Sequence, residues 1–191
     1  MRDVEDYCPN DKEDWRKWLE LNHQKEDAIW LILYKKKSLK HNLSWSDSVD
    51  EALCYGWIDS TKRPIDGEKY KQYFCKRKAK SNWSKINKDK VAALIDEGLM
   101  TTAGYKSIAT AKENGSWILL DEVEALVVPE DLKDEFAKHE GAMDYFDSLS
   151  KSLKKMLLHW LVSAKRKETR QKRIIEITES ASVQMMPKHF R

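Results

Sequence analysis

The sequence predicts an α+β protein: a small antiparallel sheet with helices forms the N-terminal region, and an all-helical region follows. Two short runs rich in β-branched and aromatic residues, Trp57–Lys62 and Lys69–Cys75, flank a turn with Pro64 and Gly67, which is typical of an antiparallel hairpin. A third apolar run, Ala28–Lys35, predicts a buried strand. Elsewhere the apolar residues recur at helical spacing, above all in the last third of the chain.

The first helices are indicated by spacing and by capping residues. Residues 1–10 are predicted to be irregular. Asp11–Asn22 predicts a helix, because its tryptophans and leucine recur at intervals of three and four and acids lie in its first turn. Ser44 predicts the N-cap of the next helix, since Asp47 follows three residues later as in a capping box, and Gly56 lies just beyond the helix end.

The segment after the hairpin predicts two further helices. Ser84 starts the first, which ends at Gly98, and Thr101 or Thr102 starts the second. Trp117–Leu120 indicates a short strand or a buried crossing segment.

The last third of the chain shows helical patterns throughout. Ser150 predicts the cap of the strongest helix, whose apolar stripe runs from Leu153 to Ala164, and Lys167–Ser180 predicts the final helix. We therefore expect an α+β region over residues 1–125, a helical region over residues 126–180 and an irregular tail over residues 181–191.

Composition restricts the class of protein. With 41% hydrophobic, 35% charged and 10% aromatic residues, the 191-residue chain is typical of a folded globular protein. Its longest apolar run, Ala28–Tyr34, is far shorter than the roughly 20 residues that span a membrane, so we expect no membrane insertion. No secretory signal is visible, and Cys8, Cys54 and Cys75 lack metal-like spacing. We expect a reduced, cytoplasmic protein with no metal.

Positive charge is concentrated in one segment. The whole chain carries +3, whereas Lys62–Lys90 contains 11 Lys and Arg against three acids, a net charge of +8. A local positive field favours phosphate or carboxylate partners. The alternative is a solvated face whose charges are balanced by acidic neighbours.

The main candidate ligand-binding surface is the segment after the hairpin, Lys76–Lys90, which we call the basic arm. It combines cations with hydroxyl, amide and indole groups, and the helix that follows Ser84 adds backbone N–H donors. The candidate ligand-binding residues are Lys76, Arg77, Lys78, Lys80, Ser81, Asn82, Trp83, Ser84 and Asn87. Such a surface suits an acidic protein partner or a small anionic ligand, and nucleic acid is an alternative. In a further alternative, Trp83 packs in the core while the lysines stay in solvent.

A second candidate pocket lies at the transition from helix to hairpin, at Tyr55, Trp57 and Asp59. An enzyme acting on a small anionic molecule would bring Asp59, Tyr55 and a cation together. Asp59 could instead cap or form a salt bridge within the hairpin. We interpret Cys54 as a core residue, because the helix dipole at its position opposes a thiolate. The five scattered histidines and the absence of GxxxxGK[ST] and GxSxG give no catalytic residue, so the sequence favours non-catalytic binding.

Several sequence blocks resemble a known bacterial family. The most specific are Glu51–Asp59 (EALCYGWID) and Lys80–Asn87 (KSNWSKIN), with support from Asp14–Leu19, Trp30–Lys36, Gly98–Thr101 and Ala164–Ile174. Together they resemble the YdeI/OmpD-associated family, linked by name to bacteriocin protection, over about residues 11–180.

This resemblance implies an α+β N-terminal region, a helical C-terminal region, no cofactor, and a protective or envelope-stress role without assigned catalytic residues. Family members often carry proline after the hairpin, where this chain has Lys76–Lys78, so the arm is more basic here. We expect a non-catalytic binding protein with a basic, tryptophan-containing surface, in bacterial bacteriocin protection or stress response. The sequence leaves its oligomeric state open.

Overall fold

Residues 4–191, the part of the chain that the computed structural model describes, contain four strands, nine α-helices and one 3-10 helix. They form two compact units, the first ending at Trp117 and the second being Ile118–Arg191. The predicted α+β class and the all-helical C-terminal region are confirmed. The boundary between the units lies after Trp117, whereas the change of region was predicted after residue 125. Residues 1–3, the beginning of the segment predicted to be irregular, lie outside the described residues.

The first unit contains all the strands found in the described residues. In chain order its elements are β1 Asp6–Tyr7, α1 Lys12–Asn22, β2 Ala28–Tyr34, α2 Trp45–Cys54, β3 Trp57–Pro64, β4 Lys69–Lys76, α3 Lys85–Asp96 and α4 Thr102–Glu113. The strand order is β1-β2-β4-β3. The predicted hairpin is the antiparallel pair β3–β4, and β4 also pairs antiparallel with β2, from Ala28 opposite Cys75 to Tyr34 opposite Lys69. β1, which the sequence did not predict, runs parallel to β2 and makes the sheet mixed.

Side-chain caps fix where three of these helices begin. Asp11, Ser44 and Ser84 each accept a hydrogen bond from the backbone N–H three residues later, at the starts of α1, α2 and α3. These bonds satisfy N–H groups that have no partner within a helix. The caps predicted at Ser44 and Ser84 are therefore confirmed, and Asp11 is a further cap at the predicted start of its helix.

The core of the first unit lies between one face of the sheet and the helices. Because strand side chains alternate between faces, Leu31 and Leu33 of β2 point inward with Phe74 of β4. They pack in one cluster with Trp15 of α1 and Leu53 of α2.

The second unit is built from five helices and a 3-10 turn, all within the described residues. They are α5 Asp121–Glu124, α6 Glu130–Phe136, α7 Ala142–Ser148, α8 Lys151–Val162, α9 Lys167–Ser182 and the 3-10 helix Lys188–Phe190. Ser150 caps α8 as predicted. Leu132, Phe146 and Leu161 belong to a separate buried cluster. Among residues 4–191, no helix is long and apolar enough to cross a membrane.

Two local predictions differ from the structure. Trp117–Leu120 forms turns rather than a strand, and Ile118 and Leu119 are exposed rather than buried. The tail over residues 181–191 is only partly irregular, because α9 continues to Ser182 and a 3-10 helix follows. The ring of His189 stacks on that of Trp160 with 5.1 Å between the ring centroids, so aromatic contacts hold a segment that has no helical periodicity.

Candidate functional site

The site begins at the turn between α2 and β3. Gly56 has φ +72°, a conformation that side chains rarely adopt, and it allows the chain to reverse from Cys54 into Trp57. A Cβ atom at Gly56 would lie 3.0 Å from the carbonyl oxygen of Ala103. The turn therefore packs directly against the first turn of α4.

The start of α4 is bonded to the same turn. The Thr101 backbone N–H and hydroxyl both donate to the Cys54 carbonyl oxygen, at 3.2 and 2.6 Å. Because its hydroxyl is used in this way, Thr101 does not cap α4 with its side chain. The N–H groups in the first turn of α4 therefore have no side-chain cap, and they give this end of the helix a partial positive charge. The first-turn residues Thr102 and Ala103 line a cleft.

This cleft is open to solvent and has a volume of about 830 Å³. The aromatic residues Tyr55 and Trp57 are largely buried and contribute to one side, and α4 contributes Thr102, Lys106 and Ser107. We call it the α4 cleft. Its volume lies in the range of small-molecule sites. Within the described part of the chain, its lining contains three Lys or Arg residues and no Asp or Glu.

Arg77 is the most unusual side chain of the α4 cleft. It follows β4, where its backbone N–H donates to the Gly56 carbonyl oxygen at 3.0 Å. Its guanidinium carbon lies 3.7 Å from the centroid of the Trp83 ring, and its Nη1 donates to the Asn82 carbonyl oxygen at 2.8 Å. Its Nε and Nη2 atoms are buried and have no hydrogen-bond partner among the described residues.

Burial also affects the charge of this arginine. Loss of hydration lowers the pKa of Arg77 to about 10, although the negative charge of Asp59 acts in the opposite direction. No carboxylate of the described residues lies within ion-pair distance of Arg77, Lys78 or Lys80, whereas Lys76 pairs with Asp27 at 2.9 Å. The positive charge of the basic arm is thus only partly neutralised by the protein.

The predicted site residues separate into three groups. Tyr55, Trp57, Lys76 and Arg77 line the α4 cleft. Ser84 caps α3, Asn82 supplies a backbone acceptor, and Ser81 and Asn87 are half-buried beside them. Lys78 and Lys80 are exposed outside the cleft lining.

Trp83 corrects one expectation. Only 2% of its surface is exposed, and its ring lies 4.9 Å from that of Trp117, so it belongs to the core. The expected display of this indole beside lysines is wrong, because the Arg77 guanidinium and Trp117 cover it. The alternative in which Trp83 packs inward holds.

Asp59 does not lie in the α4 cleft with Tyr55 and the cations. Its Oδ2 accepts hydrogen bonds from Trp45 Nε1 at 2.9 Å and from Gln72 Nε2 at 3.0 Å, and it lies outside the lining of the α4 cleft. The combination expected of an enzyme on a small anion is therefore not assembled there. Cys54 is a buried core residue as expected, and burial, aided by the charge of Glu51, raises its pKa to about 11.

Sequence reasoning missed the contribution of α4 to the site, including Thr102 and Lys106, and that of His23 at the end of α1. His23 Nδ1 is 2.8 Å from the Leu19 carbonyl oxygen, and its ring is 5.1 Å from that of Tyr55. Within residues 4–191, no group of three or more His, Cys, Asp and Glu side chains is placed to hold a metal ion. All three cysteines are free, and the cytoplasmic location stays a prediction.

The fold and the cleft together define an α+β domain with a basic open cleft, followed in the chain by a separate helical unit. Residues 7–107 match the family described as "Domain of unknown function (DUF8412)", and residues 125–182 match the family described as "Bacteriocin-protection, YdeI or OmpD-Associated". The chain belongs to the DUF8412 family, whose match covers more than half its length, and its C-terminal part matches the bacteriocin-protection family that the sequence blocks resembled. The resemblance was expected over about residues 11–180, whereas this match covers residues 125–182, so the blocks Glu51–Asp59 and Lys80–Asn87 lie in the part that matches DUF8412. No curated protein and no solved structure matches the chain.

Proposed function

We propose that the first unit is a non-catalytic binding domain whose α4 cleft holds a small anionic ligand, and that the protein acts in bacteriocin protection or stress response. One observation carries this proposal: the cleft brings Arg77 and Lys106 together beside the start of α4, with Lys76 nearby in its ion pair with Asp27, and its lining in the described chain has no acid. An anion would gain the most from this arrangement.

The individual groups suit a carboxylate or a phosphate. The guanidinium of Arg77 supplies positive charge at the cleft. Its Nε and Nη2 atoms are buried and lack partners in the described chain, so a ligand would satisfy them only after the side chain turns towards it. Helix α4 adds N–H dipoles at its first turn, where anions commonly bind. Ala79 and Ala103 give the ligand an apolar surface, so the site favours an anion with a compact carbon skeleton over a bare ion.

The protective role is supported by the match of residues 125–182 to a family described by bacteriocin protection. The shape of the cleft favours a small ligand over an acidic protein partner, because a concave site of about 830 Å³ encloses a small molecule. In this proposal, the first unit binds the ligand and the helical unit couples binding to the role in bacteriocin protection.

Thermal unfolding with and without ligand tests the binding step. The full chain is heated with inorganic phosphate, citrate or glycerol phosphate, and tryptophan fluorescence is followed. We expect at least one of these anions to raise the midpoint, because a ligand that binds the folded state at 100 times its Kd adds about 2.7 kcal/mol. Lys106→Glu should abolish the rise, since Lys106 lines the cleft, whereas Lys85→Glu should retain it.

Lys85 is a matched control, because it is an exposed lysine of the same unit outside the cleft, paired with Asp89 at 3.0 Å. Equal loss in both variants would indicate a non-specific charge effect and contradict the proposed site. Complementation with wild type and Lys106→Glu in bacteriocin-treated cells then tests the protective role.

A further inference from the structure

A second surface of the first unit is organised around an exposed tryptophan. Trp45, the first residue of α2, is 47% exposed, yet its Nε1 is held by Asp59 Oδ2 at 2.9 Å. Gln72 donates to the same oxygen at 3.0 Å and thereby fixes the carboxylate. The indole is thus a flat apolar surface with a set orientation, which lowers the entropy lost when a planar ligand stacks on it.

Two shallow depressions meet at this ring. Their volumes are about 350 and about 400 Å³, and both are lined by Trp45, Lys62 and Tyr70. We call them together the Trp45 groove. The Lys62 Nζ lies 3.9 Å from the centroid of the Tyr70 ring, so a cation contacts one of the two aromatic residues of the groove.

The Trp45 groove is positively charged. Lys35 and Lys36 extend it on one side of Trp45, and both are exposed. Asp59 is the one acidic residue in its lining within the described chain, and its Oδ2 is occupied by the Trp45 and Gln72 donors. The groove shares no lining residue with the α4 cleft.

We propose that the Trp45 groove binds nucleotides, with a base stacked on Trp45 and a phosphate at Lys62 or Lys36. Exposed aromatic rings interleaved with cations are the arrangement by which proteins hold bases and phosphates without reading sequence. The same chemistry serves a free nucleotide and a single strand of nucleic acid. The proposal is independent of the anion proposed for the α4 cleft.

Fluorescence anisotropy tests this site. The full chain is titrated into a labelled oligothymidylate of about ten nucleotides at low salt, with adenosine monophosphate as competitor. Trp45→Ala should weaken binding by about tenfold or more, since stacking on one aromatic residue has this magnitude. Lys62→Glu should weaken it too, and Trp45→Phe should retain most of it because a ring remains.

Each outcome decides between the alternatives. Binding of the oligonucleotide with loss in Trp45→Ala, and no competition by the mononucleotide, assigns the groove to single strands. Competition by adenosine monophosphate with the same loss assigns it to free nucleotides. The proposal is overturned if neither probe binds wild type at low salt, if Trp45→Ala binds like wild type while unfolding at the same temperature, or if Lys106→Glu alone removes binding.

Discussion

Replacement of Arg77 by methionine separates what this side chain does for folding from what it does for the α4 cleft. Burial lowers the pKa of Arg77 from its ordinary value to about 10. Each pKa unit corresponds to about 1.4 kcal/mol, so the charged guanidinium disfavours the folded state by on the order of 3 kcal/mol relative to its neutral form. This unfavourable contribution disappears in Arg77→Met.

The variant also loses favourable contacts. The hydrogen bond from Nη1 to the Asn82 carbonyl oxygen contributes about 1 kcal/mol, and the contact with the Trp83 ring about 2 kcal/mol when shielded from water. Methionine keeps an unbranched apolar chain and a sulfur atom beside Trp83. Because these contributions are similar in size and opposite in sign, we expect the free energy of unfolding to change by less than about 1 kcal/mol at neutral pH.

Urea unfolding followed by tryptophan fluorescence measures this change. Seven of the eight tryptophans lie before Ile118, so the signal reports mainly on the first unit. Anion-induced stabilisation should be lost in Arg77→Met and kept in Lys78→Met, which changes the exposed neighbour outside the cleft lining. Destabilisation of Arg77→Met by more than about 3 kcal/mol would refute this reasoning, since removing one partner of a buried, satisfied charged pair has that effect.

The same variant has a defined pH dependence. The folded-state pKa of Arg77 is lower than its unfolded value, so folding releases a proton between these two values. The unfavourable contribution of Arg77 is complete below about pH 10 and decreases as the pH rises through that value. The stability of Arg77→Met relative to wild type should therefore stay constant up to about pH 9 and fall as the pH rises through about 10 to about 11.

Two further substitutions test how the first unit is held together. Gly104→Ala should destabilise it by about 1–3 kcal/mol in urea unfolding, because the added Cβ would lie 2.5 Å from the Cys54 carbonyl oxygen and 2.2 Å from the Met100 sulfur. Gly67→Ala is its control, since nothing lies within 4 Å of that Cβ, and an equal effect at both glycines would contradict the packing of α4 on the turn. Ser84→Ala should cost about 1 kcal/mol by removing the cap of α3, with anion affinity unchanged. A large loss of affinity would instead place Ser84 in the binding site.

Local signals made much of this fold predictable. The caps Asp11, Ser44 and Ser84 act within three residues of themselves, so the sequence alone locates the starts of their helices. The two-residue strand β1 lacks such a signal, because it exists only through its pairing with β2. The conformation of segment 117–120 could not be predicted from its apolar composition either, because the segment forms turns and exposes Ile118 and Leu119.

Only the part of the α4 cleft next to the hairpin was accessible to sequence reasoning. Tyr55, Trp57, Lys76 and Arg77 lie at the ends of the hairpin, and the hairpin brings them together. The contribution of α4 was missed, because no periodicity reveals which helix packs on which turn. One signal was available: Gly104 lies inside a helix, where glycine costs about 1 kcal/mol relative to alanine and indicates a close approach of backbones.

The distribution of carboxylates explains why the α4 cleft stays positive. A chain with nearly as many acids as bases could neutralise every cation of its basic arm, and it does so at Lys76 and Lys85 with Asp27 and Asp89. Asp59, whose charge acts on Arg77, is instead hydrogen-bonded to Trp45 and Gln72. Arg77 is a buried cation whose Nε and Nη2 atoms lack partners in the described chain, and burial of such a group disfavours folding; we propose that an anion bound in the neighbouring α4 cleft accounts for its position.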